Sequence, residues 1–288
     1  MKRLVVLAFV LAGGGAGIAL SQQPPQQPQE IEVDKVKDNL FVLRNGGGNT
    51  AVLITEKGVV LVDTKNPGWG PRILDKVKSL TEKPVTMIIN THTHGDHVGS
   101  NEAFSPTVEF VAHENTKANM EKMPAFAGDK QAFLPKRTYT DRLSLLGGND
   151  RVELYYFGRG HTNGDTFIVF PFHRTMHTGD LFAAKATPLI DMNNGGSGVE
   201  YPQTLAKAVA GIKDVETVIP GHSAVTDWKT FQEFAEFNKA FLTAVEAAKK
   251  AGKSADDAAA ALQLGDQWKD YGMTRAKDNV TKIYSELK

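Results

Sequence analysis

The stretch "NTHTHGDHVGS", Asn90 to Ser100, decides how this chain reads. It places His92, His94 and His97 around Gly95 and Asp96, in a protein that has only eight histidines in all. The segment before it, "PVTMIIN", is an apolar β-like run, so the histidines leave the carboxyl end of a strand. His92 and His94 are two apart, which puts their side chains on one face of an extended segment. Gly95 lets the backbone turn, and Asp96 and His97 then serve a neighbouring position, with a helix expected to begin near His97 or Val98.

Three further pieces have the same placement. His161 follows "RVELYYFG", Asp180 closes "RTMHTGD", and His222 follows "VETVIP" in "PGHS". Each lies just past a β-like run, the edge at which layered α/β proteins gather ligands. Five imidazoles with Asp96 and Asp180 exceed the needs of one tetrahedral zinc. They suit two metals that share a bridging carboxylate and a bridging hydroxide. The chain has no cysteine, so disulfides, thiolate ligands and a cysteine nucleophile are excluded, and any transition metal must be held by imidazole and carboxylate.

On these residues the sequence resembles the metallo-β-lactamase superfamily: "HTHGDH" matches its H-x-H-x-D-H signature, and "GHTNGD", "HTGDLF" and "PGHS" follow in order. The resemblance spans about Ile31 to Thr226. It implies an α/β fold, a four-layered αββα sandwich, with metals at one edge of the paired sheets. It further implies two Zn2+ per chain, the first held by His92, His94 and His161 and the second by Asp96, His97 and His222, with Asp180 between them. Asp63, in "VVLVDT", matches the aspartate that orients the histidine loop from behind, and Asp96 doubles as the catalytic proton acceptor. The absence of cysteine excludes lactamases with a cysteine ligand. The bridging Asp180 separates the chain from those with a histidine-only second site and makes its ligand set similar to that of glyoxalase II and lactonases. Retention of His94, where diiron flavoprotein reductases of this fold carry a glutamate, favours hydrolysis over redox chemistry.

Outward from the motifs, "NLFVLRNGGGNTAVLITEKGVVLVDT" reads as strands joined by glycine turns. "PRILDKVKSLTE" has helical spacing at Ile73, Val77 and Leu80, and "QTLAKAVAGIKD" is also helical. The region from 114 to 150 is mixed; its Met120, Met123, Phe126, Phe133 and Leu134 read as core packing, with a lid over the metals as the alternative. The loop 183–201 reads either as a plain surface loop or as a wall of the cleft. From Trp228 onward the composition is helical, with "AVEAAKKAGKSADDAAAAL" the clearest stretch. His113 is expected to cap a helix, His173 to be exposed in a turn, and His177 to be structural.

At the amino end, Lys2 and Arg3 precede an apolar run from Leu4 to Leu20, and Ala19 and Ser21 are small residues suited to cleavage after Ser21. That is the pattern of a signal peptide over 1–21, with an uncleaved anchor as the alternative. Residues 22–30, "QQPPQQPQE", form a Pro/Gln linker. The expected organisation is then a metallo-β-lactamase-like domain over 31–226 and a helical extension over 227–288 packed on it. Lys and Arg total 33 and so do Asp and Glu, so no basic field speaks for nucleic acid. The expectation is a periplasmic or secreted binuclear zinc hydrolase acting on a small amide, ester, lactone or thioester, with β-lactams as weak substrates and no membrane anchor after cleavage. A phosphodiesterase or nuclease and a non-catalytic metal-binding interaction protein are the alternatives. The sequence leaves the oligomeric state open.

Overall fold

The computed structural model describes residues 30–288, so the signal peptide expected over 1–21 and nearly all of the 22–30 linker lie outside the described residues. Thirteen strands form two sheets. The first holds β1 (Glu32–Lys37), β2 (Leu40–Arg44), β3 (Thr50–Ile54), β4 (Val59–Val62), β5 (Val85–Ile89), β6 (Glu109–His113) and β7 (Arg137–Tyr139), in that order across the sheet. The second holds β8 (Arg142–Leu145), β9 (Val152–Tyr155), β10 (Phe167–Phe170), β11 (Thr175–His177), β12 (Thr217–Ile219) and β13 (Thr226–Asp227), likewise in sequence order.

Alternation along the strands shows how the layers form. Val60 and Val62 pack inward with Ile168 and Phe170 of the other sheet, in a core shared by both. Val59 and Leu61 point outward, where they meet Ile73 and Val77 of α1 (Gly70–Leu80). On the second sheet, Phe167 and Val169 face away from the shared core and meet α4 (Tyr201–Gly211) and α5 (Trp228–Lys250). Both faces of each sheet are therefore covered, which is why these strands are apolar throughout and not alternately polar. The result is the αββα sandwich.

α1 carries Pro71 in its first turn, where the missing N–H costs nothing, and buries Ile73 and Val77 one turn apart. In α5, Phe231, Phe234, Phe237, Phe241 and Val245 repeat at helical spacing and are buried against the second sheet. The Asp227 carboxylate accepts from Thr230 N and caps its start. The helical composition near 244–262 does not give one helix. α5 ends at Lys250, Gly252 takes φ +77°, and α6 (Ala255–Ala260) restarts behind a Ser254 cap. α7 (Ala276–Glu286) completes the layer through Val280 and Ile283.

Between the sheets' helices lie α2 (Gly95–Val98) and α3 (Glu114–Met120). α2 begins at Gly95, earlier than the sequence suggests, with His94 as its N-cap residue. His113 caps α3 by accepting from Asn115 N, and its Nε2 donates to Thr140 O at 2.7 Å. His173 is buried, contrary to the exposed turn expected of it: its Nε2 lies 2.6 Å from Asn39 Oδ1, across the two sheets. Met120, Phe126 and Leu134 form a small buried cluster with Val98, so the 114–150 region props the histidine loop from the side. That region also contains β7 and β8, which are too short and polar to show a period.

Candidate metal centre

β4 and β5 run parallel, as do β11 and β12, so their carboxyl ends reach the same edge of the sandwich. Beyond those ends lie Asp63, the 90–97 loop, Asp180 and His222; His161 joins them from the loop after β9. The side chains fall into two groups whose donor atoms lie within 4.8 Å of one another: His92, His94, His161 and Asp180 in one, and Asp96, His97 and His222 in the other. All seven residues singled out from the sequence are therefore brought together. Asp180 reaches both groups. Its Oδ1 is 3.2 Å from His97 Nε2 and 3.3 Å from His222 Nε2, while its Oδ2 is 3.7 Å from His161 Nε2.

Hydrogen bonds on the far side of four of the five rings, those of His92, His94, His97 and His161, fix which nitrogen carries a proton. Asp63, held at φ +64° at the end of β4, accepts from Thr91 N at 2.8 Å and, through Oδ2, from Thr91 Oγ1 at 2.7 Å. The same Oδ2 is 2.7 Å from His97 Nδ1, so Nδ1 donates and Nε2 is left as an acceptor. The Thr91 hydroxyl proton is used on Asp63, so Thr91 Oγ1 accepts from His92 Nδ1 at 2.9 Å. His92 Nε2 is then a lone pair, buried and without a partner. His161 Nδ1 donates to Leu189 O at 2.8 Å, and His94 Nε2 donates to Asp191 Oδ2 at 2.8 Å. These two leave His161 Nε2 and His94 Nδ1 as acceptors facing each other at 2.9 Å.

Facing lone pairs repel unless a cation or a proton lies between them. The donor set, hard carboxylates with neutral imidazoles, fits divalent zinc. Asp180 Oδ1 is also buried, with two imidazole nitrogens within reach of it. The protein alone meets this crowding with protons. Burial would lower His97, but the Asp180 and Asp63 carboxylates outweigh it and hold the ring well above the usual histidine value. Burial likewise opposes His222, yet hydrogen bonds to Asp180 and Asp96 push it up to about 9. Burial would raise Asp180; the charge on His97 and the bonds from His222 and His97 keep it well below the carboxylate range instead. His92 is driven well below by burial and by its neighbours His97 and His161. Cations and these protons compete for the same lone pairs.

Close backbone approach completes the site. Gly221 precedes His222, and a Cβ there would sit 2.0 Å from Asp180 Oδ1; one on Gly48 would sit 2.2 Å from His97 Cε1. Gly221 N and His222 N donate to Phe182 O and Ala183 O, tying the His222 loop to the Asp180 loop. Asn49 Nδ2 holds the same loop through Pro220 O and Ser223 O, both at 2.8 Å.

A cleft of about 380 Å³ opens beside the metal-binding groups. Its lining includes His94, Asp96, His161, Asp180 and His222, and the 183–189 loop forms one wall. Of the two readings of the 183–201 loop, the cleft wall holds for residues 183–189. Two residues of the site have no motif in the sequence. Asp191, which orients His94, sits in a glycine-rich loop where nothing sets it apart from a surface aspartate. Arg275 lines the cleft from the C-terminal segment, far along the chain from every histidine motif.

Comparison with known proteins agrees with the architecture. The sequence model of the family described as the metallo-beta-lactamase superfamily matches residues 43–222. A metallo-beta-lactamase type 2 of Elizabethkingia meningoseptica is 28% identical over 249 residues, 80% of this chain and 91% of that protein. Among solved structures, a metallo-beta-lactamase from Pontibacter korlensis superposes with a TM-score of 0.62 at 20% identity, over 73% of this chain and 99% of the other. A mutant of the sec-alkyl sulfatase PisA1 superposes with a TM-score of 0.73 at 13% identity, over 89% of this chain and 50% of the other; both structures bear on the fold alone.

Proposed function

Because the chain belongs to the metallo-beta-lactamase superfamily, we propose that it is an exported hydrolase that holds two zinc ions and cleaves an amide, ester, lactone or thioester bond in a small molecule. The observation that carries this reading is Asp180, whose two oxygens face the two donor groups on either side. A bound pair of divalent cations supplies Lewis acidity, which polarises a substrate oxygen and makes water acidic enough to attack near neutral pH.

The protein's own residues do the rest. His92, His94 and His161 would hold one ion and Asp96, His97 and His222 the other, with Asp180 available to both. Asp63 and Asp191 keep the imidazoles in the tautomers that present a lone pair. Asp96 lines the cleft, with its Oδ2 3.2 Å from His222 Nε2. Burial would raise its carboxyl, but the hydrogen bond from His222 and the charge of His97 hold it below the usual value, so it is ionised and able to take a proton from the attacking water. The apolar wall of alanines, Pro188 and Leu189 excludes bulk water from one side.

The relatives described as metallo-beta-lactamase type 2, in Elizabethkingia meningoseptica and Bacillus cereus, make β-lactams the first class to assay. Asp180 in the shared position argues that another small carbonyl substrate is the better one. Export rests on the amino-terminal pattern over residues 1–21; among the described residues no helix is long and apolar enough to cross a membrane. The test is elemental analysis after remetallation, then a panel of a β-lactam, an acyl-lactone, a thioester and a phosphodiester, each with and without chelator. Two zinc ions per chain and chelator-sensitive cleavage of one of the first three are expected. Lack of metal uptake overturns the reading, and cleavage of the phosphodiester alone replaces it with the nuclease class.

A further inference from the structure

The family match ends at residue 222, yet the cleft does not: Phe234 and Arg275, both beyond it, line the same space as the metal-binding groups. Arg275 stands immediately before α7, and its backbone is fixed against the cleft wall. Its N–H donates to Thr187 Oγ1 at 3.1 Å, while Thr187 donates through N and Oγ1 to Gly272 O at 2.7 and 3.2 Å. Further along, Asn279 Nδ2 donates to Pro188 O at 2.9 Å and Lys282 Nζ to Ile190 O at 2.8 Å. The cleft loop and the C-terminal segment therefore form one hydrogen-bonded unit, and Arg275 is carried on it.

Among the described residues no carboxylate lies within ion-pair reach of the Arg275 guanidinium, and none of its N–H groups donates to a neighbour. A solvated surface arginine would look the same were it elsewhere. Here the residue is placed by a hydrogen-bonded backbone at a cleft whose other wall residues are mostly alanines, Pro188, Leu189 and Phe234. A planar five-donor fork matches a carboxylate in two parallel hydrogen bonds. A cleft of about 380 Å³ is at the small end for ligand sites. Its chemistry thus describes a molecule with a scissile carbonyl at one end, a compact apolar body and an anionic group at the other.

We propose that Arg275 is a specificity-determining residue that selects substrates bearing a carboxylate a few bonds from the scissile group. This rests on the hydrolase reading above and adds the substrate's charge to it. The probes are succinate, glutarate and adipate, each against its monoamide, titrated calorimetrically into zinc-loaded wild type, Arg275→Ala and Arg275→Lys. One carboxylate is expected to face the metals in all of them, so the second reports on Arg275. Zinc uptake is measured first, so failure of the hydrolase reading is seen there and not in the acid series. For at least one chain length, wild type should favour the diacid by about tenfold or more, the size of a charge-assisted bidentate contact. Arg275→Ala should bring the two ligands to within about twofold, and Arg275→Lys should keep part of the preference. Because Arg275 is exposed, circular dichroism of both variants should match wild type. Equal affinity of diacid and monoamide in wild type, a preference that survives in Arg275→Ala, or no binding of any acid to the zinc-loaded protein overturns the proposal.

Discussion

Asp63 Oδ2 lies 2.7 Å from His97 Nδ1, with both side chains fully buried. Through Thr91 the same carboxylate also sets the tautomer of His92, so one residue with no place in either donor group controls a ligand in each. Asp63→Asn keeps the shape, and asparagine tolerates the left-handed backbone at this position. It replaces one acceptor oxygen by an amide donor. Zinc affinity should fall about 10–100-fold, the usual cost of losing such a partner. A competition titration against a chromophoric chelator checks this; unchanged affinity would mean that the ring orientations are held by packing instead.

Gly221→Ala should damage the site without unfolding the protein. The new Cβ would fall 2.0 Å from Asp180 Oδ1, so the carboxylate must turn away from His97 and His222. A displacement of about 1 Å at a reacting centre costs on the order of 100-fold in rate. Reduced zinc occupancy with an unchanged circular dichroism spectrum is the expected pair of results. Full occupancy and full rate would show that Asp180 is not needed where the structure puts it.

Asp96→Asn tests the proton acceptor. Loss of a general base typically costs about 100- to 10,000-fold. Turnover of whichever substrate the panel identifies should drop by that order with KM little changed. A kcat close to wild type would remove Asp96 from the proton transfer, whatever its part in holding the ion.

Asp191 predicts an acid-side effect. Burial would raise its carboxyl, but the hydrogen bonds from His94 and Asn194 lower it to about 2. Its folded value is below its unfolded one, so its contribution to stability is present above about pH 4 and is lost as pH falls towards 2. Asp191→Asn should flatten the pH dependence of metal-free stability between those limits, as read by urea unfolding. A curve parallel to wild type would count against the His94 contact.

Lys65 tests the scaffold under the site. It is fully buried at φ +63°, and its Nζ donates to Leu43 O and Gly48 O at 2.8 and 2.9 Å, next to the glycine that approaches His97. Burial lowers its ammonium to about 7. The unfolded chain thus binds more protons between about 7 and 10.5, and stability from this group rises with pH across that window. Lys65→Met leaves two carbonyls without a donor, at about 1–3 kcal/mol each. Denaturant unfolding should show a larger loss at pH 10 than at pH 7; an equal loss at both would place the proton elsewhere.

What the sequence by itself determined about this protein was local. The strand runs carry their own period, each donor residue follows one directly, and the order of "HTHGDH", "GHTNGD", "HTGDLF" and "PGHS" was sufficient to name the groups that meet. The burial of His173 could not be read in this way, because its partner Asn39 lies on the opposite sheet. β7 and β8 were hidden because three- and four-residue strands are shorter than the pattern that would reveal them. Asp191 and Arg275 have ordinary neighbours in sequence and acquire their roles only from what the fold carries past them. A hydrogen bond between remote residues leaves no trace in the spacing of either one. The tertiary structure alone therefore decided that Asp191 orients His94, which nitrogens are left bare, and which charge lines the cleft.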